Sequence, residues 1–254
     1  MQNEKLGPLL EEQRTVMKSA YYGADNTDQR LGLAQPPICK PAVATNKIAL
    51  PEQVDEAVVQ NQYTQLLRQR RSRRVYNADA TITLQQFAFM LWSCQGVEKV
   101  IGKEKKATLR PVPSGGARHA FETYVTVRNV QGLNAGLYHY LPLENAVEFL
   151  REMPNYEEEV TAAMGGQAFA AQAAALMIWS CVPYRSEWRY GLAAQRLMMM
   201  DVGHVGQNAY LSAESLGLAT CCMAAFDQAE CDKMLGLDGE EEFSLYAAPI
   251  GKEK

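Results

Sequence analysis

The stretch from Tyr190 to Leu218, YGLAAQRLMMMDVGHVGQNAYLSAESLGL, is the longest helical candidate in the chain, and apolar residues surround nearly its whole circumference. Such a helix has no side that suits water, so it must lie inside the fold or be shared with a second subunit. At 1.5 Å per residue it would run roughly 40 Å, with Gly217 just past its end. Any fold for this chain has to be built around that rod.

Material to cover the rod is legible on either side. ETYVTVRNV alternates with period two, as a half-buried strand does. GLNAGLYHYLPLENAVEFL reads as two strands joined by a turn at PLEN, AALMIWSCV is an apolar run of strand length, and FSLYAAPIG reads as a last strand. Residues 81–97 form a helix, with Thr83 as N-cap, Phe87, Met90 and Leu91 on one face and Gly96 as the stop. Residues 157–172 and the segment VVQNQYTQLLRQRR are also helical in pattern. Residues 1–57 differ. Four prolines (Pro36, Pro37, Pro41, Pro51) and little periodicity predict an extended, surface-hugging arm, preceded by a short helix that stops at Gly23. The main domain is then 58–254.

Composition excludes several classes. A formal net charge of −4 and a pI near 5.5 argue against general affinity for nucleic acid or anionic membranes. The six cysteines form no CxxC pair and have no histidine at zinc-ligand spacing, which suits reduced core thiols in a cytoplasmic protein. The acidic N-terminus lacks the apolar run of an export signal, and the most apolar stretch, residues 168–182, is too short to span a bilayer.

Against that acidic background RQRRSRRVY stands out. Five arginines (Arg68, Arg70, Arg71, Arg73, Arg74) fall within seven positions around Ser72. Two readings fit. One is a phosphate, met by planar guanidinium donors and a hydroxyl; the other is a solvated basic face balanced by acidic neighbours. RNA binding would call for interleaved aromatics, and only Tyr76 is at hand. PVPSGGARH (111–119) is a proline-bounded loop whose backbone N–H groups could approach a flat or anionic ligand, or simply a turn before a strand. It is neither a Walker loop nor a dinucleotide fingerprint. His204, among apolar residues of the long helix, reads as structural, and no catalytic triad or carboxylate pair stands out.

In order along the chain, RRSRRVY, PSGGARHAFETYV, GLYHY, DVGHVGQNAYLSAESLGLATCCMAAFD and PIGK resemble the nitroreductase superfamily of flavoproteins. The chain is most similar to the SagB-type (thiazole/oxazole-forming oxidase-like) branch, over roughly residues 30–252. The resemblance implies an α+β fold, with a mixed, largely antiparallel sheet flanked by helices, in an intertwined homodimer with FMN at the subunit interface.

It also implies roles. Arg70 and Ser72 would grip the FMN phosphate, and Arg71 would add its backbone and a polar contact. Arg74 would lie near the N1/O2 edge, where a fixed cation offsets the negative charge of a reduced flavin. Arg68 and Arg73 are left as surface charges. Pro113, Ser114, Gly115, Gly116 and Arg118 would reach the flavin from the second subunit. Met223, Ala224 or Ala225 would present a backbone N–H to flavin N5, and Lys252 would add a cation at the phosphate. Azoline-oxidising members carry a Lys-Tyr pair before the long helix. The matching Arg189-Tyr190 keeps the tyrosine as an acid/base but replaces the lysine with a group that does not readily release its proton.

The activity so implied is FMN-dependent oxidoreduction, with hydride passing from NAD(P)H through N5 to an unknown acceptor. Azoline oxidation on a ribosomal peptide and flavin binding without turnover are the alternatives. No nucleic acid or membrane partner is expected.

Overall fold

A computed structural model describes residues 27–51, 63–103 and 107–254. Among these, seven strands form one sheet in the order β1-β6-β5-β4-β7-β9-β8. They are β1 (Lys47–Ala49), β4 (Phe121–Val127), β5 (Gly136–Leu141), β6 (Ala146–Arg151), β7 (Ala175–Cys181), β8 (Ala219–Thr220) and β9 (Phe243–Gly251). Every strand pairing in it is antiparallel; the one parallel contact is an isolated bridge between Ile82 and Val130. A small hairpin, β2 (Lys99–Ile101) with β3 (Ala107–Leu109), stands apart. Its charged sequence, KVIGKEKKATL, gives little strand signal.

The central strands are buried on both faces, so their residues split between two cores. On β4 and β7, Phe121, Val125, Val127, Met177 and Trp179 face α2 (Leu84–Gln95) and α5 (Ala194–Ser215). Tyr124, Leu176 and Ile178 face α3 (Tyr156–Ala163) and α6 (Gln228–Leu235). The two remaining helices, α1 (Tyr63–Gln69) and α4 (Tyr184–Tyr190), pack near the two ends of α5.

Local chemistry sets the boundaries. Thr83 caps α2 in a reciprocal pair, its Oγ1 accepting from the Gln86 N–H at 3.1 Å while Gln86 Oε1 accepts from the Thr83 N–H at 3.0 Å. The long helix ends as expected. Gly217 has φ +65°, the Leu218 N–H reaches Ala213 O at 2.8 Å, and the Gly217 N–H reaches Glu214 O at 3.1 Å. Its start is corrected. Gly191, at φ +51°, ends α4 and keeps Tyr190 and Gly191 out of the rod, which begins only at Ala194 as the 22-residue α5, about 33 Å long at 1.5 Å per residue. The 157–172 helix is likewise divided, by Gly165 and Gly166 at positive φ.

The described part of the arm lies along the molecule. Gln29 N–H donates to Trp188 O at 2.8 Å, the Trp188 indole donates to Leu33 O at 3.2 Å, and β1 covers the edge of β6. Between those points the arm rests on a buried ionic network. His139 Nδ1 is 2.9 Å from Glu148 and its Nε2 is 3.1 Å from Glu122. Glu122 also accepts from Arg185 and from the Lys40 N–H, and Glu148 accepts from the N–H groups of Val43 and Ala44. The expected N-terminal helix and the 57/58 boundary lie outside the described residues. No helix among those described is long and apolar enough to cross a membrane.

Candidate functional site

After α1 the chain runs without regular structure from Arg70 to Val75, beside the C-terminal half of α5, and its arginines divide by role. Arg71 Nη1 donates to the carbonyls of Arg68 and Arg70 at 2.9 and 2.8 Å, which closes the end of α1. Arg73 is a clamp rather than a surface charge: it meets Glu214 at 2.5 Å and Glu253 at 3.3 Å. Arg70 lies over the Tyr210 ring, 5.1 Å from its centroid, and Ser72 Oγ is 2.9 Å from Tyr210 Oη. Arg74 is exposed. Among the described residues no carboxylate pairs with Arg70 or Arg74.

Two further segments meet this corner. Cys222 N–H donates to Tyr210 Oη at 3.0 Å, so the turn 223–225 begins beside Ser72. Met223 and Ala247 exchange both backbone hydrogen bonds, at 2.7 and 3.0 Å. Its N–H is therefore engaged, and the candidate donors that remain are those of the exposed Ala224 and Ala225. Asn77 N–H donates to Lys252 O at 2.9 Å, which sets exposed Lys252 next to the arginine segment.

The 113–119 loop sits elsewhere, against the N-terminal half of α5. Its anchor is Asp201, only 7 % exposed, which sequence reasoning missed. Ser114 Oγ donates to Asp201 at 2.7 Å and accepts from the His119 N–H at 2.9 Å, while the Gly115 N–H donates to both Asp201 oxygens. Burial pushes the Asp201 carboxyl up, and these hydrogen bonds oppose the rise. The Ser114 hydroxyl is thus engaged in shaping its own loop. A single acid inside the apolar run MMMDVG was the available signal.

Gly116, Ala117 and His119 all have left-handed φ, +57°, +55° and +45°, backbone strain of the kind that concentrates at functional sites. Arg118 Nε and Arg189 Nη1 both donate to Gly116 O, at 3.2 and 3.3 Å, and Arg118 stacks on Trp188. A Cβ on Gly116 would collide with Tyr190 Oη. The loop and the candidate acid/base therefore share one place, and substitution there strains both. Gly116→Ala is expected to cost about 1–3 kcal/mol from the positive φ and the overlap. A lowered urea midpoint would show it; an unchanged midpoint would mean that the loop relaxes freely.

The two groups stand on one helix but not together. Asp201 and Tyr210 are nine residues apart on α5, about 14 Å along its axis. The outer face of α5 carries exposed Met199 and Met200 just before Asp201, and exposed Gly203 and His204 between the two groups, so His204 is a surface residue.

The corner of residues 70–74, 222–225 and 252 suits FMN. Arg73 is taken up by Glu214 and Glu253, but Arg70, Arg74 and Ser72 supply guanidinium and hydroxyl donors that no carboxylate among the described residues engages, and Ala224 and Ala225 are exposed with backbone N–H groups for a polar ring edge. No cluster of metal-ligating side chains occurs among the described residues.

The nitroreductase family model matches residues 67–252. A nitroreductase-type protein of Methanocaldococcus jannaschii, MJ1384, is 32 % identical over 209 residues, covering 82 % of this chain and 98 % of that one. The microcin B17-processing protein McbC of Escherichia coli is 28 % identical over 134 residues, covering 51 % of this chain and 49 % of McbC, so this chain matches only about half of that relative. Among solved structures, a nitroreductase-type protein from Ralstonia eutropha superposes with TM-score 0.66 at 24 % identity, covering 85 % of this chain and 94 % of that one, a likeness of fold.

Proposed function

The chain belongs to the nitroreductase family of oxidoreductases, and from that premise we propose that it is an FMN-dependent enzyme passing electrons from NAD(P)H to an acceptor not yet identified. The observation that carries this reading is the pair Arg70 and Ser72, held side by side on Tyr210 with no carboxylate among the described residues to neutralise them. An acidic chain that keeps such a pair open has a use for an anion there.

FMN, when bound, supplies two-electron transfer. The residues do the rest. Arg70 and Ser72 bind the anionic end, with Arg71 and Lys252 beside them. Arg74 brings an unpaired positive charge to the same corner. Ala224 and Ala225 offer N–H donors from a turn pinned by the Met223–Ala247 pair. Pro113 to Arg118 form a loop shaped by Asp201, and Tyr190 can hold or release a proton at Oη beside it.

The 14 Å spacing of the two groups on α5 favours a homodimer. Two copies packed antiparallel across that helix would bring the loop of one next to the arginine corner of the other. The reading predicts a yellow protein that releases FMN on denaturation. Anaerobic NAD(P)H should bleach its visible absorbance, and a flavin-loaded protein that keeps its colour would end the nicotinamide-driven version.

The similarity to McbC, and to the trifolitoxin-processing protein TfxB of Rhizobium leguminosarum, favours a second reading, oxidation of azoline rings in a peptide. Tyr190 would then take the proton. An azoline peptide that bleaches the flavin where nicotinamides do not would decide for it.

A further inference from the structure

Tyr210 is absent from the set of residues that the sequence nominates, yet three parts of the arginine corner converge on it. Its Oη accepts the Cys222 N–H at 3.0 Å and lies 2.9 Å from Ser72 Oγ, and its ring carries the Arg70 guanidinium at 5.1 Å. A phenol has one proton to give, and an alcohol oxygen can both accept and donate. With the main-chain N–H already directed at Oη, the phenol's own proton is best placed on Ser72 Oγ. That leaves the Ser72 hydroxyl proton to turn outward, since Ser72 is exposed, while the Arg70 guanidinium lies over the ring of the same phenol.

We propose that Tyr210 is a positioning residue for the anion site: it orients the Ser72 hydroxyl as an outward donor and holds Arg70 beside it, so that two donors are aimed at one phosphate before the ligand arrives. Such prearrangement raises affinity by removing the ordering cost of binding. The hydrogen bond from the Cys222 N–H holds the phenol oxygen in place beside Ser72. This inference rests on the reading of the corner as the FMN phosphate site.

The test compares FMN with riboflavin, which lacks the phosphate, by titrating flavin-stripped full-length protein and following flavin fluorescence. Tyr210→Phe keeps the ring under Arg70 and removes only the hydroxyl. It is expected to raise the FMN Kd about five- to tenfold, the worth of roughly one hydrogen bond, and to leave the riboflavin Kd unchanged. In the background of Ser72→Ala the same substitution should add little, because it acts through Ser72. Equal weakening for both flavins, no weakening at all, or full additivity with Ser72→Ala would overturn the role. Arg70→Ala separates the layers. If it and Ser72→Ala weaken FMN selectively while Tyr210→Phe does not, only this inference falls. If neither discriminates FMN from riboflavin, the phosphate site itself is misplaced.

Discussion

Replacing Glu122 with glutamine is expected to destabilise the fold by about 3–5 kcal/mol, the usual cost of removing one partner from a buried ion pair. Glu122 is 2 % exposed and meets three groups: Arg185, His139 and the Lys40 N–H. Burial alone would raise its carboxyl, yet the Arg185 charge and the His139 hydrogen bond outweigh burial and hold it at about 2. His139 lies between two carboxylates, with a ring nitrogen on each. Both nitrogens serve as donors only when the ring is charged. Burial works against that charge, but the hydrogen bond the ring donates to Glu122, the attraction of that carboxylate and the hydrogen bond it donates to Glu148 prevail and raise its pKa. Lys40, which also bonds Tyr124 and Glu242, opposes the rise.

The sign of the pH dependence follows. The raised His139 contributes fully below its unfolded value of 6.5, and that contribution is lost as pH climbs through the folded value. The depressed Glu122 contributes fully above its unfolded value of 4.5 and is lost as pH falls toward 2. Stability from this network is therefore greatest between about pH 4.5 and 6.5, with an alkaline decline above. Denaturation midpoints across pH 4–9 would trace it, and His139→Gln should abolish the alkaline slope. Amide exchange at Val43 and Ala44, whose N–H groups rest on Glu148, should quicken in step with that decline. A wild-type profile that stays flat from pH 6.5 to 9 would refute the charged-imidazole account.

Gly203→Arg is expected to leave the protein monomeric and without flavin. Among the described residues nothing lies within 4 Å of where a Cβ would stand, so no contact seen within the protomer calls for glycine there. Glycine in mid-helix costs about 1 kcal/mol relative to alanine. A close helix–helix approach from a second copy gives a reason for it, and Met199 and Met200, 58 % and 47 % exposed, flank the spot with apolar surface. An arginine would fit the free protomer and block the contact. Since the site is proposed to combine the loop of one subunit with the arginine corner of the other, losing the dimer should also lose the FMN. Sedimentation and flavin content of the two proteins read both effects. A dimeric Gly203→Arg protein that stays yellow would place the interface elsewhere.

Much of the fold was legible in the sequence because its signals are local. The Thr83 capping box, the Gly217 helix stop, the PLEN turn and the apolar run of β7 each depend on residues within a few positions of one another. The later start of α5, at Ala194 rather than Tyr190, escaped because the apolar pattern continues across Gly191, and a pattern of hydrophobicity does not report a single φ angle. Membership in the family was legible too, since five motifs keep their order whatever their surroundings. The division of labour among the arginines was not. Arg70 and Arg73 are the same residue type three positions apart, and only the packing of α5 puts Glu214 against one and Tyr210 against the other. Asp201 and Tyr210 acquire their roles from partners 87 and 138 positions away. The sequence by itself determined the central strands, the main helices and the chemistry they carry; tertiary structure decided which of those groups are neutralised and which stay open, because charge pairing depends on distances in space that the order of residues along the chain does not set.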